Sequence, residues 1–128
     1  MTIGAKLEKT FQVTDDMLAN KVGSGMLPVY STPSMISCME NTAAELVQGS
    51  LQPGQGTVGY IVHIRHLSPT LCGKEVRVVC VLTAINGKML DFDLEVFDES
   101  GKIGEGKHTR CIINNESFMQ KVKKRYQI

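Results

Sequence analysis

Thr32-Pro33-Ser34-Met35-Ile36-Ser37-Cys38-Met39-Glu40-Asn41-Thr42-Ala43-Ala44-Glu45-Leu46-Val47-Gln48 decides the fold. Its apolar residues fall at helical spacing. Met35, Ile36, Met39, Ala43, Leu46 and Val47 make one stripe, while Ser37, Asn41, Glu45 and Gln48 lie opposite. Thr32 is a good N-cap, and Pro33 suits the first helical position, where a missing N–H would be unpaired anyway. The spacing predicts a helix from Pro33 to about Leu51, ended by Pro53-Gly54-Gln55-Gly56. Glu40 breaks the pattern: it follows Ile36 by four residues and precedes Ala43 and Ala44, inside the apolar arc.

On either side the chain reads as strands. Lys6 to Val13 places Leu7, Phe11 and Val13 in one parity, and Thr14-Asp15-Asp16 is expected to cap a short helix to about Asn20. Val22-Gly23-Ser24-Gly25-Met26-Leu27-Pro28 breaks regular structure and reads as a mobile loop. After the helix, Thr57 to His66 is rich in β-branched residues, and strict alternation puts Val58, Tyr60, Val62, Ile64 and His66 on one face. Ser68 to Gly73 is a break, and Glu75 to Ile85 is a mostly apolar strand. Asn86-Gly87 is a strong hairpin signal. Lys88 to Phe97 alternates Leu90, Phe92, Leu94 and Val96 against Asp91, Asp93 and Glu95. A turn at Asp98-Glu99-Ser100-Gly101 leads to a last strand, Ile103 to Ile113, and a basic tail that suits a short amphipathic helix. The expected class is α+β, one long central helix against a curved antiparallel β-sheet. Order and lengths fit a hot-dog fold, in which the sheet wraps the helix; a cystatin-like roll has the same coarse order.

Composition narrows the function. A chain of 128 residues allows one domain, spanning 1–128, and 42 % apolar residues suffice for a core. Fourteen basic against thirteen acidic side chains give a net charge of +1, which offers no general argument for nucleic acid or membrane. No apolar run reaches the ~20 residues of a spanning helix, and the start lacks the apolar stretch of a secretion signal, so the expected compartment is cytoplasmic. Cys38, Cys72, Cys80 and Cys111 are scattered without a C-x-x-C pair, and the three histidines lack H-x-x-x-H spacing; neither a disulfide framework nor a metal site is expected.

Three residues are candidates for chemistry. A carboxylate at Glu40 is expensive among apolar neighbours unless a basic group satisfies it, and its pKa should rise if none does. His66 ends a strand on the face of Val62 and Ile64, where it is either a structural histidine or an acid–base group. Thr32 is either an N-cap worth about 1 kcal/mol or a hydroxyl placed where helix-end amides favour negative charge. His63 lies on the opposite parity with Arg65, a solvated face, and His108 beside Arg110 reads as structural.

Several motifs in order resemble the fluoroacetyl-CoA thioesterase-like family of hot-dog proteins. They are Gly23-Ser24-Gly25, Ser31-Thr32-Pro33-Ser34-Met35-Ile36, Met39-Glu40, Gly54-x-Gly56-Thr57-Val58-Gly59, His66-Leu67-Ser68-Pro69-Thr70, Gly73, Asp98-Glu99 and His108-Thr109-Arg110. The resemblance runs from about Leu7 to Lys121 and matches the family's catalytic threonine, glutamate and histidine to Thr32, Glu40 and His66. It implies an acyl-CoA thioesterase acting on a short- or medium-chain acyl group, without a cofactor, as a homodimer that binds acyl-CoA near the subunit interface. Gly59 and the loop residues Val22, Met26 and Leu27 are the expected substrate-binding positions. The family's fluoroacetyl enzyme resembles a gated site with phenylalanines in its lid, whereas no Phe occurs here between Phe11 and Phe92. The expected substrate is therefore another short or medium acyl-CoA. A non-catalytic acyl-CoA-binding module would keep the pocket but would not need the Thr32, Glu40 and His66 set. A structural domain that pairs its sheet edge with a partner would have no CoA affinity.

Overall fold

A helix with one apolar stripe must bury it, and the strands supply the surface. The computed structural model describes residues Met1–Ile128. In chain order it contains β1 (Lys6–Gln12), a 3-10 turn (Asp15–Met17), α1 (Ala19–Val22), α2 (Thr32–Gln48) and β2 (Gln55–His66). The elements β3 (Glu75–Asn86), β4 (Met89–Asp98), β5 (Gly101–Asn114) and α3 (Asn115–Arg125) follow. All five strands form one antiparallel sheet in the order β1-β3-β4-β5-β2. Its concave face holds α2 through Met35, Cys38, Met39, Ala43 and Val47, packed on Val76, Val78, Cys80, Leu90, Phe92, Leu94 and Val96. The alternation read in β4 is realised, with Leu90, Phe92, Leu94 and Val96 all buried. Thr42 is also buried and satisfies its hydroxyl by donating to the Cys38 carbonyl at 2.8 Å. No helix is long and apolar enough to cross a membrane.

Three local expectations change. The N-cap of α2 is Ser31, whose Oγ accepts from the Ser34 amide at 3.1 Å, so Thr32 and Pro33 are the first two helical residues. This register works because the first helical amides have no intrahelical partner, so Pro33 forfeits nothing there. The helix ends at Gln48, with Ser50 and Leu51 donating back to Val47 and Gln48 in a tighter turn. In β2 the strict alternation fails at a β-bulge: Gly59 pairs with Arg110 and Ile61 with Thr109, so Tyr60 is an extra residue. The inner face of β2 is therefore Thr57, Gly59, Val62, Ile64 and His66, opposite the even-numbered residues of β5, while Val58 is switched to the outer face.

The two edges differ. β1 presents Lys6, Glu8 and Lys9, charges that discourage further pairing. β2 exposes three consecutive apolar residues, Tyr60 at 68 %, Ile61 at 49 % and Val62 at 41 %. Behind them, Gly106 on β5 lets β2 approach: a Cβ there would collide with the His63 carbonyl and sit 2.7 Å from Ile64 Cα, both backbone atoms that cannot swing aside. Gly106→Ala should lower stability by about 1–3 kcal/mol, the scale of overpacking. Gly49→Ala, where a Cβ meets nothing within 4 Å, should be neutral or slightly stabilising. Urea denaturation midpoints of the two variants check this.

Candidate active site

The Ser31 cap has a chemical consequence. With helix capping assigned to Ser31, the Thr32 hydroxyl is released, and it lies 2.8 Å from His66 Nδ1 at the end of β2. His66 also packs edge-on against the buried Tyr30 ring, with centroids 6.2 Å apart. Burial pushes the His66 pKa down; the Ser68 backbone pulls weakly the other way, and Nε2 is buried without a hydrogen bond of good geometry. The shift favours the neutral imidazole, the form that can accept a proton. Ser24, Tyr30, Ser31, Thr32, His66 and Pro69 are among the residues lining a cleft of about 290 Å³. Thr32 sits at the start of a 17-residue helix, where the dipole favours negative charge.

Glu40 belongs to a second cluster. Eight residues separate it from Thr32, a rise of about 12 Å along the axis at 1.5 Å per residue. Its carboxylate takes a hydrogen bond from Arg110 Nη1 at 3.3 Å and lies 3.9 Å from His108 Nε2. Glu40 is thus the paired case among the alternatives open in the sequence, with the basic neighbour supplied by β5. Arg110 is only 8 % exposed. Its Nε donates to Thr57 Oγ1 at 2.8 Å, its Nη2 to the Thr57 carbonyl at 3.1 Å, and its Nη1 also reaches His108 Nε2 at 3.2 Å. His108 Nδ1 lies 2.7 Å from the Ile61 carbonyl beside the bulge. Because that carbonyl can only accept, Nδ1 carries the proton and Nε2 accepts from Arg110. Burial pushes the His108 pKa down; the hydrogen bond to the Ile61 carbonyl opposes it, and the nearby Arg110 charge adds to the lowering. A side chain at Gly59 would collide with Glu40 Oε2, so the glycine keeps room for the carboxylate.

The structure therefore joins Thr32 to His66 and sets Gly59 against Glu40, but it does not join the two clusters within one chain. Val22, Met26 and Leu27 are exposed and do not line the cleft, where the loop is represented by Ser24 and α1 by Ala19. Arg110, His108 and Thr57 are site residues that the sequence reading missed. Their signal was present: His108-x-Arg110 puts two polar groups on the inward parity of a strand whose other inward positions include Gly104 and Gly106.

Known proteins match the chain in sequence and in fold. The family described as fluoroacetyl-CoA-specific thioesterase matches residues 13–116. The chain belongs to that family. It is a thioester hydrolase of the acyl-CoA thioesterase class. It is 30 % identical over 97 residues to the fluoroacetyl-CoA thioesterase of Streptantibioticus cattleyicolor, covering 76 % of this chain and 70 % of that protein. A crystal structure of the fluoroacetyl-CoA thioesterase FlK superposes with a TM-score of 0.92 at 26 % identity, covering 97 % and 96 % of the two chains. A thioesterase superfamily member from Thermus thermophilus gives 0.87 at 27 % identity, covering 98 % and 96 %. A hot-dog-like protein from Thermanaerovibrio acidaminovorans shares the fold at 18 % identity, TM-score 0.89, over 97 % and 92 %. The fold is thus the hot-dog, and the cystatin-like roll is set aside.

Half-buried His66 and buried His108 give the protein a pH dependence. Their folded pKa values lie below the ordinary value of about 6.5, so folding disfavours their protonation. That contribution to stability is complete above the unfolded value and is lost as pH falls through the lower folded values. The wild type should lose denaturation midpoint between about pH 7.5 and pH 5.5, and the His66→Gln/His108→Gln double variant should lose distinctly less. Urea titrations at the two pH values measure the difference.

Proposed function

We propose that the chain works as a single hot-dog domain, residues 1–128, paired two-fold with a second copy along β2, and that Thr32, Glu40 and His66 together hydrolyse a short- or medium-chain acyl-CoA. The observation carrying this reading is the Thr32–His66 pair at 2.8 Å beside an open cleft. Neutral His66 accepts a hydrogen bond from the Thr32 hydroxyl at Nδ1 and polarises it toward the thioester carbonyl, while the helix start stabilises the oxyanion. Glu40, held by Arg110, supplies the carboxylate that attacks or draws a proton from water. On the water route the water oxygen bonds to the carbonyl carbon and the C–S bond breaks. On the attack route the carboxylate displaces CoA to give an acyl–glutamyl anhydride that water then hydrolyses. In both, the CoA thiolate takes up the proton and the free acid leaves. Two-fold pairing is supported by the apolar β2 edge against the charged β1 edge. It also answers the separation of the clusters: Glu40 is 38 % exposed and lies over Gly59 on that open edge. A second copy seated there brings Glu40 of the partner subunit toward the Thr32–His66 pair. Four free cysteines fit a reducing compartment such as the cytoplasm.

The acyl pocket follows from the loop. Val22, Met26 and Leu27 are exposed apolar side chains, suited to wall an acyl chain across the same interface. FlK variants have been crystallised with acetyl-CoA and with fluoroacetate and CoA, which favours the short end of the range. Without phenylalanines in this loop, discrimination should stay on the scale of an apolar pocket, about 1–3 kcal/mol per methylene.

Release of free thiol from acetyl-, fluoroacetyl-, butyryl- and hexanoyl-CoA tests both points. Glu40→Ala and His66→Ala should each lower kcat/KM by at least about 10²-fold, with activity spread over neighbouring lengths. Full activity in both folded variants, or a fluoroacetyl preference over acetyl beyond about 10³-fold, would contradict the assignment.

A further inference from the structure

The near-neutral net charge hides a segregation. Of the fourteen Lys and Arg side chains, nine are in ion pairs: Lys6, Lys9, Lys21, Arg65, Lys74, Arg77, Lys102, Lys107 and Arg110. The other five are Lys88, Lys121, Lys123, Lys124 and Arg125, and none has a carboxylate within 4.0 Å. All five are exposed, four lie on α3, and the only acid on that helix is Glu116 in its first turn. Lys88 joins them from the β3–β4 hairpin. Its carbonyl accepts from the Ile112 amide at 2.8 Å, and it lines a cleft of about 190 Å³ with Lys121, Ile112, Ser117 and Phe118. Lys121 and Arg125 follow Phe118 at helical spacing and share its side of α3.

Unpaired ammonium groups around an aromatic ring and an aliphatic floor suit a phosphorylated purine nucleotide. The ring and the aliphatic surface take the base, and the cations take the phosphates. A CoA thioester carries such a group, a 3′-phosphorylated adenosine diphosphate, at the end remote from its reacting carbonyl. The patch is also linked to the site. The Asn115 amide donates to the Gly54 carbonyl at 2.9 Å, and Gly56 lies so close to the Asn115 side chain that a Cβ would sit 2.5 Å from Oδ1. Gly59, under Glu40, is three residues further along β2, about 10 Å at strand rise. We infer that Lys88 and the basic face of α3 bind the nucleotide end of the acyl-CoA substrate. This rests on acyl-CoA hydrolysis as proposed above. The patch acts on capture of substrate rather than on the bond-breaking step.

The test compares a full with a truncated substrate. Lys88→Glu/Lys121→Glu should raise KM for butyryl-CoA about tenfold with kcat unchanged, because charge reversal at a rim acts on binding. It should leave both constants unchanged for the N-acetylcysteamine thioester of butyrate, which lacks the nucleotide. Lys88→Gln/Lys121→Gln should shift KM in the same direction by less, which separates lost attraction from misfolding. Adenosine 3′,5′-bisphosphate should compete with butyryl-CoA in the wild type and do so more weakly in both variants. An unchanged KM for butyryl-CoA, or an equal rise for both thioesters, overturns the inference. So does wild-type binding to anionic vesicles or nucleic acid that the variants lose while KM stays fixed. Absence of wild-type hydrolysis of either thioester would instead overturn the proposed function itself.

Discussion

A guanidinium buried beneath the central helix must be paired on every side, and much of the site follows from that requirement. Removing a charge from water is costly unless hydrogen bonds and an opposite charge replace the solvent. Burial pulls the Arg110 pKa down and Glu40 opposes it. Its partners come from three elements: Thr57 on β2, His108 on its own strand, and Glu40 on α2. The network thus sets the depth of α2 in the sheet and the direction of the Glu40 carboxylate. His108 is anchored in turn to the carbonyl of Ile61, next to the bulge. Losing one partner would leave the others buried and unsatisfied, which makes the cluster stiff and its carboxylate well aimed.

The Thr32–His66 pair depends on a smaller matter, the register of a helix cap. Had Thr32 capped α2, its hydroxyl would accept from a backbone amide and point along the helix. Ser31 takes that role, which places Thr32 in the first turn, free to meet a strand-end imidazole. A one-residue shift in capping therefore separates a structural hydroxyl from a chemical one.

The layout of helix and strands was legible because its signals are periodic. The stripe of α2, the alternation of β4 and the Asn86-Gly87 hairpin each agree with burial in the folded chain. Glu40 stood out because a carboxylate in an apolar arc needs a reason. The bulge at Tyr60 was not legible, since Val58, Tyr60 and Val62 alternate as well as any regular strand; only pairing with β5 exposes the extra residue. The roles of Arg110 and His108 are not legible because a histidine two residues from an arginine on a late strand reads as structural until the fold sets both against Glu40. The same fold leaves Tyr60, Ile61 and Val62 on an open edge, a feature of tertiary structure that strand pattern does not carry.

The central claim is that the carboxylate cluster of one copy meets the threonine–histidine pair of the other. Heterodimers of differently tagged Glu40→Ala and His66→Ala subunits measure this most directly through their rate of butyryl-CoA hydrolysis. In the proposed dimer each parent lacks one half of both sites. The mixed species regains one intact site and should recover about half of the wild-type rate, as two-fold symmetry requires. A heterodimer as inactive as its parents would place Glu40 and His66 in the same chain's site and contradict the account.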